Sequence, residues 1–532
     1  MTTASWRRER KRKECRSMRN ERKTIRAAVS AFAILFSAIT VLSGGRLRAE
    51  EQNLPEEAQN ITSRELYHGV TLTSFELSAD SKYGLNKVSV VEFDPAQSDL
   101  YIDVTNMAEY SDTLKTVEKT VAEFNEKNGE GKTAIAAVNG DLWMVSYAHA
   151  RVEGSGTTYG GYSDAVVTKS LTIPRGFNMY GGEIITSAHM SQETPFEGAF
   201  QSFGFTADNK PYLGQPAVTV NVKNVTQNTD AEKVDGINRL PAKNALVMYT
   251  DKGALSHYAL DEAYEVVIDC AEDYVVKHGA AIRGTVTAIC REGDEDLPMQ
   301  ANRIILTARG SRPTSRIESF QVGDEIEITV SVKDLFGNDE AWQNEIVNAV
   351  GGHMVFARDG KYSPIGDSTA YPTTILAETN SGTVLFIQND GRQADYSLGF
   401  RFSDYTRLAQ EFDIKNGFIL DGGGSSTLVA LADSGYELVN RPSDKDENGN
   451  YGQPRSVVNS VILSYGTDRN APEEPEDATA DPAETAGASA VGGSNIGWKI
   501  ALIAGSIVCF IIAVLLAVRA GNKKYGKNNK EK

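Results

Sequence analysis

The sequence has 532 residues, 41% of them hydrophobic and 23% charged, which is enough to bury a large core and excludes a small disulfide scaffold. A net charge of −17 argues against a nucleic-acid partner, because an acidic chain repels a phosphate backbone. This charge is unevenly distributed. Residues 1–49 carry 13 Lys/Arg and three Asp/Glu, residues 496–532 carry seven and one, and the stretch between them has a net charge of −33.

Residues 1–49 have the order of an export signal. Basic Met1–Arg26 precedes the uncharged apolar run Ala27–Leu42, and small residues follow up to Ala49. This order predicts a signal peptide or, alternatively, an uncleaved N-terminal anchor. Both alternatives place the body of the protein outside the cytoplasm. Residues 50–69 are polar and are predicted to be a flexible lead-in.

The other end of the chain predicts a membrane anchor. Residues 496–518 include the uncharged run Ile500–Val518, which as a helix spans about 28 Å, close to the hydrocarbon thickness of a bilayer. The basic tail 519–532 favours a cytoplasmic C-terminus. Residues 467–495 are rich in Pro, Ala, Gly and acidic residues and are predicted to be a linker. We therefore expect a single-pass cell-membrane protein with an extracytoplasmic body.

Residues 70–466 predict a β-rich body. Alternating or short apolar runs predict strands at Lys87–Phe93, Leu100–Val104, Thr133–Val138, Ala217–Val222, Ala245–Tyr249, Tyr264–Ile268, Gly284–Ile289, Arg303–Leu306, Glu325–Val332, Thr383–Ile387, Phe418–Leu420 and Ser456–Tyr465. Helical spacing predicts helices at Asp112–Lys127, capped by Ser111 or Asp112, and at Ser403–Phe412. Strands with a few separate helices favour a single α+β domain.

Cys270 and Cys290 lie near two strand ends, as a disulfide or as two buried thiols.

The most informative segment is Phe418–Leu428. An apolar strand ends at Asp421, and Gly422, Gly423 and Gly424 precede Ser425 and Ser426. Successive glycines permit close backbone approach, and their N–H groups can form an anion nest to which hydroxyls add donors. The alternative is a tight turn capped by Asp421. Zincin, hydrolase-elbow and P-loop motifs are all missing from the sequence.

Other polar residues follow predicted strands or border loops, where ordinary turns also place Asn, Asp and Gly. They are Asn139, Asp141, Asp390, Arg392, Asn440, Ser443, Arg455 and Asn459. Asp390-Gly391 is typical of a type I′ turn. The two arginines are suited to bind phosphate in a bidentate manner, although an exposed arginine has no such role by itself.

One loop resembles half of a calcium site. Asp444, Asp446 and Asn448 reproduce the D-x-D-x-N-G start of an EF-hand, but Arg455 stands where the bidentate Glu is required. A standard EF-hand is therefore excluded. A looser Ca²⁺ loop and a solvated acidic loop remain as alternatives, and no other cofactor is expected.

These motifs together resemble the phosphodiester glycosidase family. The segments that carry the resemblance are AAVNGDLW, INRLPAKNALVMYT, VGGHMVFARDG, GRQADYSLGF, LAQEF, GFILDGGGSSTLV, LVNRPSD and RSVVNSVIL. They extend over roughly Thr133–Tyr465 and are densest from Asp390 to Ile462.

The resemblance implies hydrolysis of a sugar-1-phosphodiester that releases the sugar and leaves a phosphomonoester. Asp421 or Asp141 then acts as base or nucleophile, and the sequence does not rank them. Phosphate binding falls to Arg392 and Arg455, with the N–H groups of Gly422–Gly424 and the hydroxyls of Ser425 and Ser426. The remaining substrate-binding residues are Asn139, Asp390, Asn440, Ser443 and Asn459. We expect a glycosyl phosphate or surface polysaccharide as the substrate.

One departure from the family matters. Thr373 in Tyr371-Pro372-Thr373-Thr374-Ile375 stands where the family has an Arg. Loss of a bidentate cation weakens phosphate binding or changes the substrate. The competing interpretation is therefore a surface glycan-binding or scaffold protein that retained the fold and lost turnover.

Overall fold

The computed structural model describes residues 53–105, 114–129, 131–148, 169–187, 200–239, 241–242, 244–252, 263–291, 294, 299–363 and 369–469, all within one compact unit that ends at Ala471. The predicted signal 1–49, membrane span 496–518 and tail 519–532, and all but the start of the linker 467–495, lie outside the described residues. Within the described ranges, no helix is long and apolar enough to cross a membrane.

Strands dominate the described chain, as expected for a β-rich α+β fold with few helices. In chain order they are β1 Ala58–Tyr67, β2 Val70–Leu77, β3 Asn86–Phe93, β4 Leu100–Val104, β5 Lys132–Asn139, β6 Trp143–Ala148, β7 Lys169–Pro174, β8 Asn178–Tyr180, β9 Glu183–Thr186, β10 Ser202–Thr206, β11 Pro211–Gly214, β12 Pro216–Asn224, β13 Glu232–Val234, β14 Gly236–Ile237, β15 Leu246–Thr250, β16 Ala263–Asp269, β17 Ala281–Cys290, β18 Arg303–Arg309, β19 Glu325–Asp334, β20 Ile346–Gly351, β21 Met354–Arg358, β22 Lys361–Tyr362, β23 Ala370–Tyr371, β24 Thr373–Thr379, β25 Val384–Asn389, β26 Phe400–Arg401, β27 Ile414–Ile419, β28 Leu428–Ala432, β29 Gly435–Leu438 and β30 Ser460–Gly466. The α-helices are α1 Val117–Asn128, α2 Ser311–Ile317 and α3 Tyr405–Glu411.

Four larger sheets organise these strands. Sheet A has the order β1-β2-β3-β25-β24-β27-β21-β22, and sheet B has the order β29-β28-β5-β30-β4. Sheet C has the order β13-β12-β19-β17-β16-β18-β15-β14, and sheet D has the order β11-β10-β20-β8-β9. Most neighbouring strands are antiparallel, whereas β14 and β15 are parallel. Each antiparallel pairing fixes which side chains share a face.

Sheets A and B share a hydrophobic core. Phe386 and Phe418 of sheet A and Val138 and Val461 of sheet B belong to the same buried cluster. Helix α3 packs on sheet A through residues such as Leu408. Helix α1 covers sheet B through Val117, Val121 and Phe124. Because the strand ends of sheets A and B are held by one core, the residues that follow β5 and β27 have a rigid support.

Helix α1 begins later than the sequence predicts. Thr116 is its N-cap, with Oγ1 accepting a hydrogen bond from the backbone N of Lys119, instead of Ser111 or Asp112. Those two residues lie outside the described ranges. The helix ends at Gly129, whose φ of +54° is unfavourable for other residues.

The flexible lead-in is a further wrong expectation, and the structure decides between the two alternatives for the cysteines. The lead-in 50–69 contains β1, an edge strand paired with β2, and its polarity reflects an exposed face of the strand. No disulfide joins Cys270 and Cys290. In the β16–β17 register Cys290 lies opposite Glu265, whereas Cys270 follows Asp269 at the other end of the pair, so the alternative of two buried thiols holds.

Candidate functional site

Two strand ends bring the predicted carboxylates together. Strand β27 leads into Asp421 and β5 leads into Asp141. The backbone N of Asp421 donates to the carbonyl of Gly140 at 3.0 Å, and Asn139 Nδ2 donates to the carbonyl of Asp421 at 2.8 Å. The junction between sheets A and B therefore fixes one carboxylate beside the other.

Asp141 is fully buried. Burial raises the pKa of its carboxyl to about 7, the Gly176 N–H and the charge of Arg239 oppose this shift, and the charge of Asp421 adds to it. Asp141 Oδ2 accepts a hydrogen bond from Gly176 N at 2.6 Å. Its Oδ1 has no hydrogen-bond partner among the described residues. A carboxyl with a pKa near 7 can exchange a proton at physiological pH.

Glycines make room for this carboxylate. A Cβ on Gly351 would lie 2.5 Å from Asp141 Oδ2, and a Cβ on Gly176 would lie 2.7 Å from Gly351 Cα. Both positions are therefore restricted to glycine by the close approach of backbone and carboxylate. Gly351 belongs to the segment VGGHMVFARDG, in which nothing local indicates this contact.

Arg239 is a buried cation that the sequence analysis did not single out. Its guanidinium donates to the carbonyls of Pro174, Gly176 and Ser187, and burial lowers its pKa to about 9 while the charge of Asp141 opposes that shift. Since Gly176 N donates to Asp141 and the Gly176 carbonyl accepts from Arg239, the backbone of one glycine links the two charges. The segment INRLPAKN contains this arginine, but nothing local in it indicates burial.

Asp421 is half-buried at the turn. Burial raises the pKa of its carboxyl, whereas the Ser425 hydroxyl, the Gly422 N–H and the charges of Arg455 and Arg392 lower it. The Ser425 hydroxyl lies near the carboxylate without a hydrogen bond of standard geometry. The two nearby cations favour the ionised form of this carboxyl and so oppose the effect of burial.

Two of the three glycines let arginines approach the loop, whereas a Cβ on Gly422 would meet the Pro372 carbonyl. A Cβ on Gly423, whose φ is +67°, would lie 2.8 Å from Arg392 Nη1, and one on Gly424 would overlap Arg455 Nη2. The predicted anion nest is wrong for two of the glycines, since Gly423 N donates to the Pro372 carbonyl and Gly422 N faces the Asp421 carboxylate. The cations at this turn therefore come from side chains.

The two arginines differ in their partners. Arg392 is exposed and its guanidinium lies 5.4 Å from the centroid of the Tyr371 ring. Its φ is +59°, whereas Gly391 has no positive φ, so the predicted type I′ turn is wrong. Arg455 forms a bidentate ion pair with Asp444, at 2.7 Å from Nε to Oδ2 and 2.8 Å from Nη2 to Oδ1. Arg392 is thus the more available cation for an anionic ligand.

The predicted substrate-binding amides have structural partners. Asn139 Oδ1 accepts from Thr374 Oγ1 at 2.6 Å and from Thr427 N at 3.1 Å. Asn440 Oδ1 accepts from Leu428 N at 2.9 Å, and its Nδ2 donates to Asp390 Oδ1 at 3.1 Å. These hydrogen bonds join strand ends and hold the loop. They explain why Asn139 and Asn440 are polar without invoking a ligand.

Asp390 and Asn459 complete this framework. Burial raises the pKa of Asp390, and hydrogen bonds from Asn440, Gln388 and the Arg441 N–H oppose the shift. Asn459 Oδ1 accepts from the backbone N of Asp141 at 2.8 Å. Ser443 is half-buried beside Asp444. The buried polar atoms of this region that lack a hydrogen-bond partner in the described part of the chain include Asn459 Nδ2, Ser426 Oγ and Thr427 Oγ1.

The acidic loop does not gather its predicted calcium ligands around one point. Asp444 pairs with Arg455, and Asp446 accepts hydrogen bonds from the N–H groups of Asn448 and Asn450 at 2.9 and 2.8 Å. The D-x-D-x-N-G pattern thus builds a turn closed by its own side chains. Within the described ranges, no group of three or more His, Cys, Asp or Glu side chains is arranged to hold a metal ion.

Thr373 faces away from the carboxylates. Its side chain is 3% exposed, and its Oγ1 is hydrogen-bonded to Tyr405 Oη at 2.7 Å and to the Tyr371 carbonyl at 3.2 Å. The position where the family has an arginine is therefore occupied here by a small hydroxyl that packs on α3.

Comparison with solved structures supports the fold. A hypothetical protein from Synechocystis is similar with a TM-score of 0.50 and 13% identity, over 77% of this chain and 64% of that one. This chain thus spans less than two thirds of that protein. A Burkholderia pseudomallei protein described as exported has a TM-score of 0.51 and 17% identity, over 71% and 74% of the two chains. At these identities the likeness concerns the fold alone.

A third structure is the zebrafish N-acetylglucosamine-1-phosphodiester α-N-acetylglucosaminidase catalytic domain, auto-inhibited by its pro-peptide. It has a TM-score of 0.33 and 11% identity, over 77% of this chain and 85% of that one, and this likeness supports no conclusion. No curated protein matches this chain.

The family model of phosphodiester glycosidases matches residues 278–464. The match includes the Asp421 turn, Arg392 and Arg455, whereas Asp141 and Arg239 precede it. The resemblance drawn from the sequence motifs is thereby confirmed for residues 278–464, which match the phosphodiester glycosidase family.

Proposed function

We propose that this chain hydrolyses a sugar-1-phosphodiester by breaking the bond between the anomeric carbon and the phosphate oxygen. The observation that carries the proposal is the pair Asp421 and Asp141. Hydrogen bonds of Asp421 to Gly140 and Asn139 hold the pair together, and Arg392 lies against the same loop. When two carboxyls lie in different environments, one can act as the base while the other holds a proton.

The proposed reaction assigns the base to Asp421. Its carboxylate takes a proton from water, the water oxygen bonds to the anomeric carbon, and the electrons of the broken bond pass to the phosphate, which leaves as a phosphomonoester. Arg392 binds the departing phosphate and offsets its charge. Such a leaving group is acidic and needs little protonation, so Asp141 acts by holding a proton and limiting the negative charge of the site.

The proposed setting follows from the ends of the chain. An export signal and a C-terminal helix would hold the body outside the cell membrane, where surface polysaccharides contain glycosyl phosphates. Residues 50–495 have a net charge of −33 and repel polyanions at long range. Binding of such a substrate therefore depends on local cations such as Arg392.

The test measures release of free sugar from UDP-N-acetylglucosamine by the purified full-length chain. We expect release by the natural protein and a loss of at least about 100-fold in kcat for Asp421→Asn, since a missing base costs this much. Lys210→Gln, on the exposed β10–β11 turn, serves as a charge-changing control with unchanged activity. Full activity of Asp421→Asn would remove Asp421 from the reaction.

A second function is supported by Thr373 and by the Arg455–Asp444 pair. The family arginine is replaced, and the charge of Arg455 is balanced by a carboxylate, so the cationic clamp is weaker than the motifs predict. A glycan-binding protein without turnover fits these two observations. No sugar release from a panel of sugar-1-phosphodiesters, together with measurable binding of the same compounds, would favour this second function.

A further inference from the structure

A row of three rings lies beside the two carboxylates. The centroids of Tyr371 and Phe402 are 6.0 Å apart, and those of Phe402 and His353 are 5.8 Å apart with an interplanar angle of 27°. His353 is exposed, and the other two residues are half-buried. Part of this aromatic row is therefore accessible to a ligand.

Backbone hydrogen bonds connect the row to the Asp421 turn. His353 N donates to the carbonyl of Ile419 at 2.7 Å, two residues before Asp421. Gly423 N donates to the carbonyl of Pro372 at 2.9 Å, next to Tyr371. A ligand that lies on the rings is consequently adjacent to the proposed reaction centre.

Arginines flank the row at both ends. Arg392 lies over the Tyr371 ring at 5.4 Å and contacts Gly423. At the other end, desolvation and the charge of Arg175 lower the pKa of His353. Arg175 N also donates to the Leu142 carbonyl at 2.7 Å, one residue from Asp141. The row thus runs between two cations that border the two carboxylates.

We propose that Tyr371, Phe402 and His353 form a saccharide platform, on which the glycan beyond the scissile phosphate stacks while anionic groups of that glycan contact Arg392 and Arg175. The identity of the ligand rests on the proposed function. Aromatic faces are flat, apolar and partly negative, which suits the C–H faces of pyranose rings. Guanidinium groups match phosphate oxygens in a bidentate manner. The site therefore takes an anionic oligosaccharide and not a bare sugar phosphate.

The test compares two probes with full-length Asp421→Asn protein, so that binding is measured without turnover. One probe is a disaccharide of two N-acetylglucosamine units joined by a phosphodiester, and the other is the methyl phosphodiester of N-acetylglucosamine, which lacks the second sugar. We expect Tyr371→Ala and Phe402→Leu each to raise the Kd for the disaccharide about tenfold, and the Kd for the methyl diester by less than about threefold.

Tyr101→Ala is the matched control. Tyr101 is also half-buried beneath cations, with Lys132 Nζ 4.5 Å and Arg469 Cζ 5.3 Å from its ring, but it pairs with Ser464 at the far end of β30. We expect this variant to bind both probes as the parent does. If the Tyr371 and Phe402 variants melt like the parent and keep its Kd for the disaccharide, the platform is refuted.

The outcomes separate this inference from the proposed function. Tight disaccharide binding that depends on the rings, without sugar release by the protein that retains Asp421, would contradict the proposed function and support the platform. Sugar release with a ring-independent KM would support the proposed function and contradict the platform.

Discussion

Asp141 and Arg239 are opposite charges that both bind the backbone of Gly176 inside the protein. Arg239 donates to the carbonyl of Gly176, and the N–H of Gly176 donates to Asp141 Oδ2. Both side chains are at most 2% exposed. Their pKa values, about 7 for Asp141 and about 9 for Arg239, are each displaced towards the neutral form by burial. Burial thus opposes the charged form of both groups, and each keeps its charge only through the other and its hydrogen bonds.

The first prediction concerns stability against pH. The pKa of Asp141 is about 7 in the folded protein and near 3.8 when unfolded, so the folded state binds more protons between these values. Its contribution to stability is therefore full below about pH 4 and is lost as pH rises to 7. Asp141→Asn has no carboxyl to titrate at this position. Between pH 4 and pH 8 its free energy of unfolding should therefore rise relative to that of the wild type by up to about 4 kcal/mol.

Urea unfolding of both proteins at several pH values measures this difference. Asp446→Asn serves as a control, because Asp446 is a turn carboxylate outside the buried pair. Parallel stability profiles for the wild type and Asp141→Asn would show that the buried carboxyl does not retain its proton.

The second prediction concerns Arg239. In Arg239→Gln the carbonyls of Pro174, Gly176 and Ser187 lose charged donors and Asp141 loses its counter-charge. Breaking a buried charged network costs about 3–5 kcal/mol. We expect this loss in the free energy of urea unfolding at pH 7.

The exposed pair of Arg283 and Glu327 supplies the comparison for Arg239. Its arginine side chain is 76% exposed, so Arg283→Gln should cost less than about 1 kcal/mol. Arg239→Gln should also raise the pKa of Asp141, which titration of that carboxyl would detect. Equal losses for the two arginine variants would contradict a buried charge pair.

Local patterns explain what the sequence could predict. One contiguous segment contains the β27 strand, the turn at Asp421 and the glycines after it. Its composition therefore predicts both the turn and a functional role for Asp421. Asp141 was predicted because Asn-Gly-Asp follows an apolar strand. Their joint assignment to one site followed from the family resemblance, since the hydrogen bond from Asp421 N to the Gly140 carbonyl joins residues 281 positions apart and depends on sheet packing.

Long-range partners explain what the sequence did not predict. Arg239 is buried by carbonyls of a distant segment, and no neighbouring residue in the chain marks it. The acidic loop matched a calcium pattern because Asp444, Asp446 and Asn448 are close in sequence, while the decisive contact of Asp444 is with Arg455. The capping residue of α1 was also misplaced, because the helical spacing continued upstream of Thr116.

The third prediction concerns Gly423. An alanine there would adopt a φ of +67° and place its Cβ 2.8 Å from Arg392 Nη1. The arginine must move away from the loop, so Gly423→Ala should lower kcat/KM for sugar release at least about tenfold, equal to about 1.4 kcal/mol of lost transition-state binding. The assay is sugar release from UDP-N-acetylglucosamine.

Gly382→Ala is the control for backbone strain. Gly382 has a φ of +92°, but nothing lies within 4 Å of a Cβ built there. Both variants should lose about 1–2 kcal/mol of stability from the positive φ, and Gly382→Ala should keep its activity. Similar activity losses in the two variants would show that Arg392 contact is irrelevant.

The fourth prediction concerns Thr373→Arg, which restores the residue of the family. Thr373 is 3% exposed and hydrogen-bonded to Tyr405, so the longer side chain must displace Tyr405 or bury its charge. We expect a loss of several kcal/mol in the free energy of unfolding and no gain in sugar release, because overpacking and an unpaired buried charge are both unfavourable.

Thr373→Val separates packing from hydrogen bonding at this position. It keeps the shape of threonine, removes the bond to Tyr405 and should cost about 1 kcal/mol. A stable Thr373→Arg protein with increased kcat/KM would show instead that an arginine reaches the phosphate from this strand. In that case the Thr at this position weakens an otherwise complete clamp, and the activity of the natural chain would be limited by phosphate binding at Arg392.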